Sequence, residues 1–490
     1  MTDNKRNTNL ILAILPILIV IAALVYFVII KGGAPHIAIV IAIALSAAIG
    51  RWLMGYSWKE MLAGMVKADI SVIPVIGILM AIGMLIGSWV ISGTVPLLMV
   101  YGLKIISPGF FLPAVLLVSS FISLATGTSW GTVGTMGLVF MGIGAGMGVP
   151  AHLTAAAVVS GAFFGDKMSP LSDTTNFCSG LLGVNLYKHI VAMLPSTVPS
   201  MVIAFVLYWI IGLPSAGQQV ATAASAEIIT TLNATFKLNP FLLLPPVIVL
   251  VLAVRKFPPI PTLFAGILSA VILAVIIQGA SVEALLGTVM YGYWSSTGIE
   301  VIDSLLSKGG LNSMLWISAL MLLTVGFGGL LQTLGSIKVI TSKVVSTIKG
   351  IGGASVAAVA NMLLMIYTAD LYIGYATTAR VFGPIFRGKG YSSSNVSRIL
   401  ENSGTMMGAL VPWGAAGVYI ASMLDVSVIK YAPFALACYL PFLFDILWGF
   451  TGKFLPKAAD EEKKDWIEQG QMIVRDGNLI SASELSVDQL

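Results

Sequence analysis

Apolar runs long enough to cross about 30 Å of hydrocarbon recur along almost the whole chain. Seven candidate spans lie near residues 8–30, 36–54, 70–92, 109–126, 133–148, 152–175 and 189–212. Seven more lie near 239–253, 260–278, 312–334, 353–369, 371–386, 399–424 and 430–450. A polar loop from Gly212 to Lys237 separates the two sets. The pattern therefore divides the chain into a first repeat (1–213), an external linker (214–238), a second repeat (239–452) and a tail (453–490). The first run, Leu10 to Ile30, exceeds a signal-peptide core and has no small-residue cleavage site before Lys31, so it reads as a retained span.

An odd number of spans per half reverses the second half in the membrane, so the expected relation is an inverted repeat. Two short stretches support it. Pro96 to Ser107, carrying Lys104, and Ile337 to Ile348, carrying Lys338 and Lys343, are too short or too polar to cross and read as lateral helices at the interface. The spans before them echo each other, Gly83-Met84-Leu85-Ile86 against Gly328-Gly329-Leu330-Leu331. The expected fold class is thus an all-α polytopic membrane protein of about 12–14 transmembrane segments, built as two inverted repeats with discontinuous and lateral helices.

Composition agrees and excludes other classes. Of 490 residues 57% are hydrophobic and 10% charged, against about 25% charged in soluble domains, which removes soluble enzymes and nucleic-acid binders. The partner is the lipid bilayer. With the N-terminus inside, alternating spans put 19 Lys and Arg on the inner side, Arg398 among them, and only Lys31, Lys237, Lys308 and Lys430 outside. That split makes both termini cytoplasmic. Cys178 and Cys438 supply neither a disulfide framework nor a metal cluster. No zincin, G-x-S-x-G or nucleotide-loop motif occurs, so no enzyme and no cofactor is expected. A channel is the remaining alternative, separable from a transporter by ohmic current against strict counter-transport.

Chemistry concentrates where the apolar pattern breaks at membrane depth. There are four breaks, two per half: Ala125 to Thr132, Phe164 to Asn176, Tyr367 to Thr378 and Glu401 to Gly414. Unwound backbone at that depth is tolerated only beside protein or a cavity, and paired interruptions point to a transporter's central site. Asp166, Asp173, Asp370 and Glu401 fall in these breaks, with Thr128, Ser129, Ser169, Ser172, Thr174, Asn176, Asn402, Ser403 and Thr405 beside them. Carboxylates with hydroxyl and amide oxygens suit a hard alkali cation. A proton can compete for the same carboxylates, because burial disfavours their charge. The four acids are therefore the expected ligands of an alkali cation, with that cation and H+ as the transported ions.

Spacing adds detail. If the turn at Gly165 opens a helix, Asp166, Ser169 and Asp173 share a face, with Pro170 freeing a carbonyl. Lys167 points away from Asp166 and is expected to find a carboxylate on another segment. Arg380, about 15 Å along a helix from Asp370, should also find its partner in the other half. Both cations read as structural counter-ions. The glycine stripe Gly142 to Gly148 reads as a packing face, and Asp69, Asp445, His36, His152 and His189 as interfacial residues, with pH sensing by His189 kept open. For Trp130 and Trp413, packing and gating are both compatible with the sequence.

The string Phe163-Phe164-Gly-Asp-Lys-Met-Ser-Pro-Leu-Ser-Asp-Thr-Thr-Asn176, with Glu401-Asn-Ser-Gly-Thr405, Val411-Pro-Trp-Gly414 and Gly87 to Gly102, resembles the NhaC family of bacterial sodium/proton antiporters over residues 8–452. The resemblance implies secondary exchange of Na+ for H+ in a prokaryotic inner membrane, with a scaffold part, a transport part and elevator-like movement. Some similar members couple to malate and lactate, so small carboxylates enter as alternative cargo, with Lys167 or Arg380 to neutralise them. The family's polar positions fall on Asp166, Ser169, Ser172, Asp173, Thr174, Asn176, Glu401, Asn402, Ser403 and Thr405, and Asp370 fits the acidic position of the third break. Met406 to Ala409 is less polar than that pattern leads one to expect. By analogy alone, the chain would pair as a homodimer. The tail is expected to form at most one short amphipathic helix, regulatory or simply solvated.

Overall fold

The computed structural model describes residues 9–213, 219–255, 257–345, 348, 350–368, 371–475 and 478–489. Helices dominate throughout, and a small hairpin in the tail is the one sheet among the described residues. Among the described residues eight helices are long and apolar enough to cross a membrane, and two bent pairs would bring the number to ten. The candidate spans near 152–175 and 371–386 form the single helices Ala151–Met168 and Leu371–Arg387, which fall outside this count, and those near 133–148, 399–424 and 430–450 are divided among shorter helices.

The two halves repeat one order of elements. Ile73–Ile91 passes through Gly93 (φ +87°) into the 12-residue helix Thr94–Ile105. Leu311–Thr333 passes through Gly335 (φ +73°) into the 10-residue helix Ser336–Val345. Each is followed by two interrupted helices and then an apolar one, Leu186–Gly212 in the first half and Leu436–Thr451 in the second.

The first half is organised around one close helix pair. Phe111–Thr126 lies against Ala151–Met168 with backbone nearly touching backbone. A Cβ added at Gly161 would fall 2.4 Å from the Leu116 carbonyl oxygen, and one at Gly165 would fall 2.3 Å from that of Ser120. Glycine is what permits the approach, as at other small-residue helix contacts in membranes. A separate apolar cluster gathers Cys178 and Leu182 with Met362, Tyr375, Phe382, Ile399 and Leu400, joining the first-half break to second-half helices.

Three connecting regions differ from expectation. The linker is not a loop throughout: Gln219–Thr235 is helical, Ile228 and Leu232 are buried one turn apart, and Ser225 Oγ donates to the Gly146 carbonyl at 2.8 Å. Alanine-rich sequence with apolar residues four apart suffices for a helix once a surface is available to cover it. The stretch after Gln278 holds helices Val282–Tyr291 and Glu300–Leu306, and Gly310 N donates to Gly83 O at 2.7 Å.

The tail carries the expected helix, Asp460–Glu468, but also pairs Met472–Arg475 with Asn478–Ser481. Trp466, Ile473 and Ala482 form its own buried cluster. It docks on the turn before Ser394–Leu400: Ser392 N donates to Pro456 O at 3.0 Å, Ser393 N to the Glu462 carboxylate at 2.9 Å, and Arg387 Nη1 to Met472 O at 3.1 Å. A simply solvated tail is thereby excluded.

Candidate functional site

The first-half site is built by two breaks that face each other. Phe111–Thr126 ends at Gly127, whose φ of +70° is left-handed and disfavours other residues. Thr128 then caps the short helix Ser129–Thr132, accepting from Gly131 N at 3.2 Å. This turn presents Ser129 to Asp166, whose Oδ2 accepts from Ser129 N at 2.9 Å and from Ser129 Oγ at 2.6 Å. Asp166 is 4% exposed, and its Oδ1 has no partner.

The helix carrying Asp166 runs through Gly165 and ends at Met168, so the turn expected at Gly165 does not form. The chain leaves the helix at Ser169 (ψ 130°), just before Pro170, and resumes at Asp173. The residue before a proline is biased away from helix, which is the local cause. Asp166, Ser169 and Asp173 consequently do not share one helix face. Ser169 Oγ instead donates to Leu124 O at 2.7 Å, tying the two breaks together. Asn176 turns back on the break, donating from Nδ2 to Pro170 O at 3.0 Å and Ser172 O at 2.6 Å. Thr174 Oγ1 pairs with Ser172 Oγ at 3.0 Å. Asp173 is exposed; its Oδ2 accepts from Tyr372 OH of the second half at 2.6 Å, and its Oδ1 from Thr174 N at 2.9 Å.

In the second half Glu401–Thr405 is not unwound. It is a five-residue π-helical segment between Ser394–Leu400 and Met406–Gly408, and the chain leaves the helix later, between Ala409 and Gly414. Such segments are frequent at functional sites because the widened turn disturbs the regular ladder. Glu401 is fully buried. Its Oε2 accepts from Thr405 Oγ1, which also pairs with Tyr375 OH at 2.6 Å, while its Oε1 has no partner. Ser403 Oγ returns to Ile399 O at 2.5 Å.

Asn402 joins the halves. Its Oδ1 accepts from Lys167 Nζ at 2.6 Å, and its Nδ2 donates to Asp445 Oδ2 at 2.7 Å. Lys167, fully buried, therefore meets an amide where a carboxylate was expected. Asp445 Oδ1 accepts from Ser196 Oγ at 2.5 Å and lies 2.9 Å from Arg398 Nε. Arg398 Nη1 donates to Phe454 O at 2.8 Å.

Four sequence readings are corrected here. Asp445 is completely buried rather than interfacial, and Arg398, counted with the inside-loop cations, is 1% exposed inside the protein. The signal for Asp445 was a lone acid within Leu436–Thr451, an otherwise apolar run; nothing local in the sequence revealed Arg398. His189 is likewise buried, with Nδ1 2.8 Å from Ser397 Oγ. Arg380 is exposed and makes no ion pair among the described residues, so it is not a buried counter-ion. Asp370 lies outside the described residues.

Asp166 and Asp173 open onto a cavity of about 720 Å³, with Thr128, Ser129, Thr174, Tyr372, Thr405 and Trp413 among its walls. Glu401 stands behind Thr405, which reaches the cavity. Neither Lys167 nor Arg380 lines it. Among the described residues no three His, Cys, Asp or Glu side chains are placed to share a metal ion. The arrangement thus offers two buried carboxylates, each with one open oxygen, and hydroxyls between them and the cavity.

Residues 161–453, which hold both the Asp166 break and the Glu401 segment, match the model of the Na+/H+ antiporter family. The chain is 37% identical over 455 residues to the Na+/H+ antiporter NhaC of Alkalihalophilus pseudofirmus, covering 92% of this chain and 97% of that one. It is 34% identical over 470 residues to the arginine/ornithine antiporter ArcD of Halobacterium salinarum, covering 94% and 97%. It is 35% identical over 403 residues to the malate-2H+/Na+-lactate antiporter of Bacillus subtilis, covering 82% and 86%. With such coverage, and with the Asp166 break and the Glu401 segment inside the matched region, the chain belongs to the NhaC-type Na+/H+ antiporter family.

Proposed function

We propose that the protein exchanges Na+ for H+ across a bacterial inner membrane by alternating access, with both ions competing at Asp166 and Glu401. The observation that carries this reading is the pair of open oxygens, Asp166 Oδ1 and Glu401 Oε1, on carboxylates buried in opposite halves. A buried carboxylate oxygen without a donor is costly unless it holds a proton or faces a cation. Exchange of one for the other at such an oxygen is antiport. The remaining Na+ ligands would be hydroxyl and backbone oxygens of Thr128, Ser129, Ser169 and Thr174. Asp173 would admit the ion from the cavity. Asp370 stays in the proposed set on sequence grounds, as the acid of the third break. Cytoplasmic termini, following the excess of Lys and Arg on the inner side that remains once Arg398 is set aside, and an inverted relation of the halves belong to the same proposal.

The reading is tested with purified protein in proteoliposomes. Asp166→Asn and Glu401→Gln should each abolish Na+-driven proton movement while leaving the protein folded; unaltered movement in both would overturn the assignment. Exchange of small carboxylates is the second reading, favoured by the likeness to the malate/lactate antiporter. The cavity speaks against it, because its described walls carry two acids and no Lys, Arg or His to meet an anion. Malate or lactate that accelerated sodium flux in the same vesicles would decide for it.

A further inference from the structure

The cavity has more room than a bare alkali cation uses. About 720 Å³ falls within the range of about 300–1,000 Å³ typical of pockets for small organic ligands. Its chemistry is one-sided as well. The charged side chains among its described walls are Asp166 and Asp173, and Asp166 Oδ1, on a side chain almost wholly buried, lacks a partner. Lys167, the basic group next in sequence, is turned away to Asn402.

Aromatic rings stand around the acids. Trp413 and Tyr367 meet edge to face, 5.8 Å between centroids, and Tyr372 is a further ring in the cavity wall. The polar ends of two of these rings are already engaged: the Trp413 indole N–H donates to Tyr367 O at 2.9 Å, and the Tyr372 hydroxyl to Asp173 at 2.6 Å. What they offer an occupant is ring surface. The negative face of an aromatic ring attracts cations, and a carboxylate beside it adds a counter-charge, so the same surroundings repel an anion.

We propose that this cavity is a binding site for an organic monocation, a quaternary ammonium group on an apolar body. The charge sits at Asp166 and Asp173, and the body lies against Trp413, Tyr367 and Tyr372. Because Asp166 is shared with the proposed ion site, the organic cation excludes Na+; that exclusion rests on the Na+/H+ reading, whereas binding itself does not.

The test uses phenyltrimethylammonium, whose charge is permanent, and benzenesulfonate as an anion of similar size. Calorimetric titration of the purified full-length protein without Na+ should show the cation binding and the sulfonate not. Saturating Na+ should weaken the cation, and Trp413→Leu should weaken it about thirtyfold, the order expected for a desolvated cation–π contact. In proteoliposomes the cation should raise the Na+ concentration for half-maximal proton movement at an unchanged maximum.

Absence of binding up to millimolar cation would overturn the proposal. Equal binding of the sulfonate would do the same, marking the cavity as merely apolar. Binding indifferent to Na+ would overturn the shared site. Vesicles that lack Na+/H+ exchange although the protein binds the cation through Asp173 would refute the proposed function and leave this inference standing.

Discussion

Replacing Asp445 with alanine should remove the counter-charge on which the buried junction between the halves depends. The Arg398 guanidinium is 1% exposed and lies 2.9 Å from Asp445 Oδ1, and its Nη2 has no hydrogen-bond partner. Breaking a buried pair by deleting one member costs about 3–5 kcal/mol, because the surviving charge is left in a poor dielectric. Asn402 Nδ2 and Ser196 Oγ lose their acceptor at the same time, at about 1–3 kcal/mol for each buried donor left unmet. These contributions share one network and do not simply add, so a loss of at least about 3 kcal/mol is expected.

Unfolding titrations in mixed detergent micelles would measure it, on wild type, Asp445→Ala, Asp445→Leu, Arg398→Met and the double variant Arg398→Met/Asp445→Leu. The double variant should recover most of the loss, since an apolar pair of similar volume often replaces a buried ion pair at little cost. It should nevertheless exchange slowly, because Asn402 would no longer be anchored opposite Lys167. A change below about 1 kcal/mol in Asp445→Ala, or additive single variants, would refute the reasoning, for either result means that the charges do not depend on each other.

Glu462→Ala should free the tail, since its carboxylate accepts from Ser393 N and Ser392 Oγ at 2.9 and 3.1 Å; trypsin should then cut faster at Lys463 and Lys464, and an unchanged cleavage rate would contradict docking through this residue. Gly165→Ala should force apart the helices carrying Ser120 and Asp166, because its Cβ would meet backbone atoms at 2.3 and 2.6 Å. The unfolding midpoint should fall and Na+-driven proton movement should be lost, whereas wild-type behaviour in both assays would show that the helices can separate at no cost.

Membrane class and the unwound stretches around Gly127 and Pro170 were legible in the sequence as polar interruptions, whereas Glu401–Thr405 stays helical, because the bilayer imposes run length and penalises polar backbone wherever nothing covers it. Those rules act on consecutive residues, so the polar stretches that hold Gly127 and Pro170 stood out, but the helix end before Pro170 did not, since the sequence read one helix from Asp166 to Asp173. The acids of the breaks were legible for the same reason, as polar groups in an apolar context. Partnership was not. Asn402 pairs with Lys167 across 235 positions and with Asp445 across 43, and Tyr372 reaches Asp173 across 199. No periodicity encodes such separations.

Tertiary packing alone decided that Asp445 and Arg398 are interior, that Arg380 is exposed, and that the linker and tail are folded against the body. The physical reason is that a charge gains its counter-charge, and a weakly amphipathic segment its cover, only when distant elements are brought together. The sequence thus determined which groups would be expensive to bury, and the fold determined which neighbours make their burial tolerable.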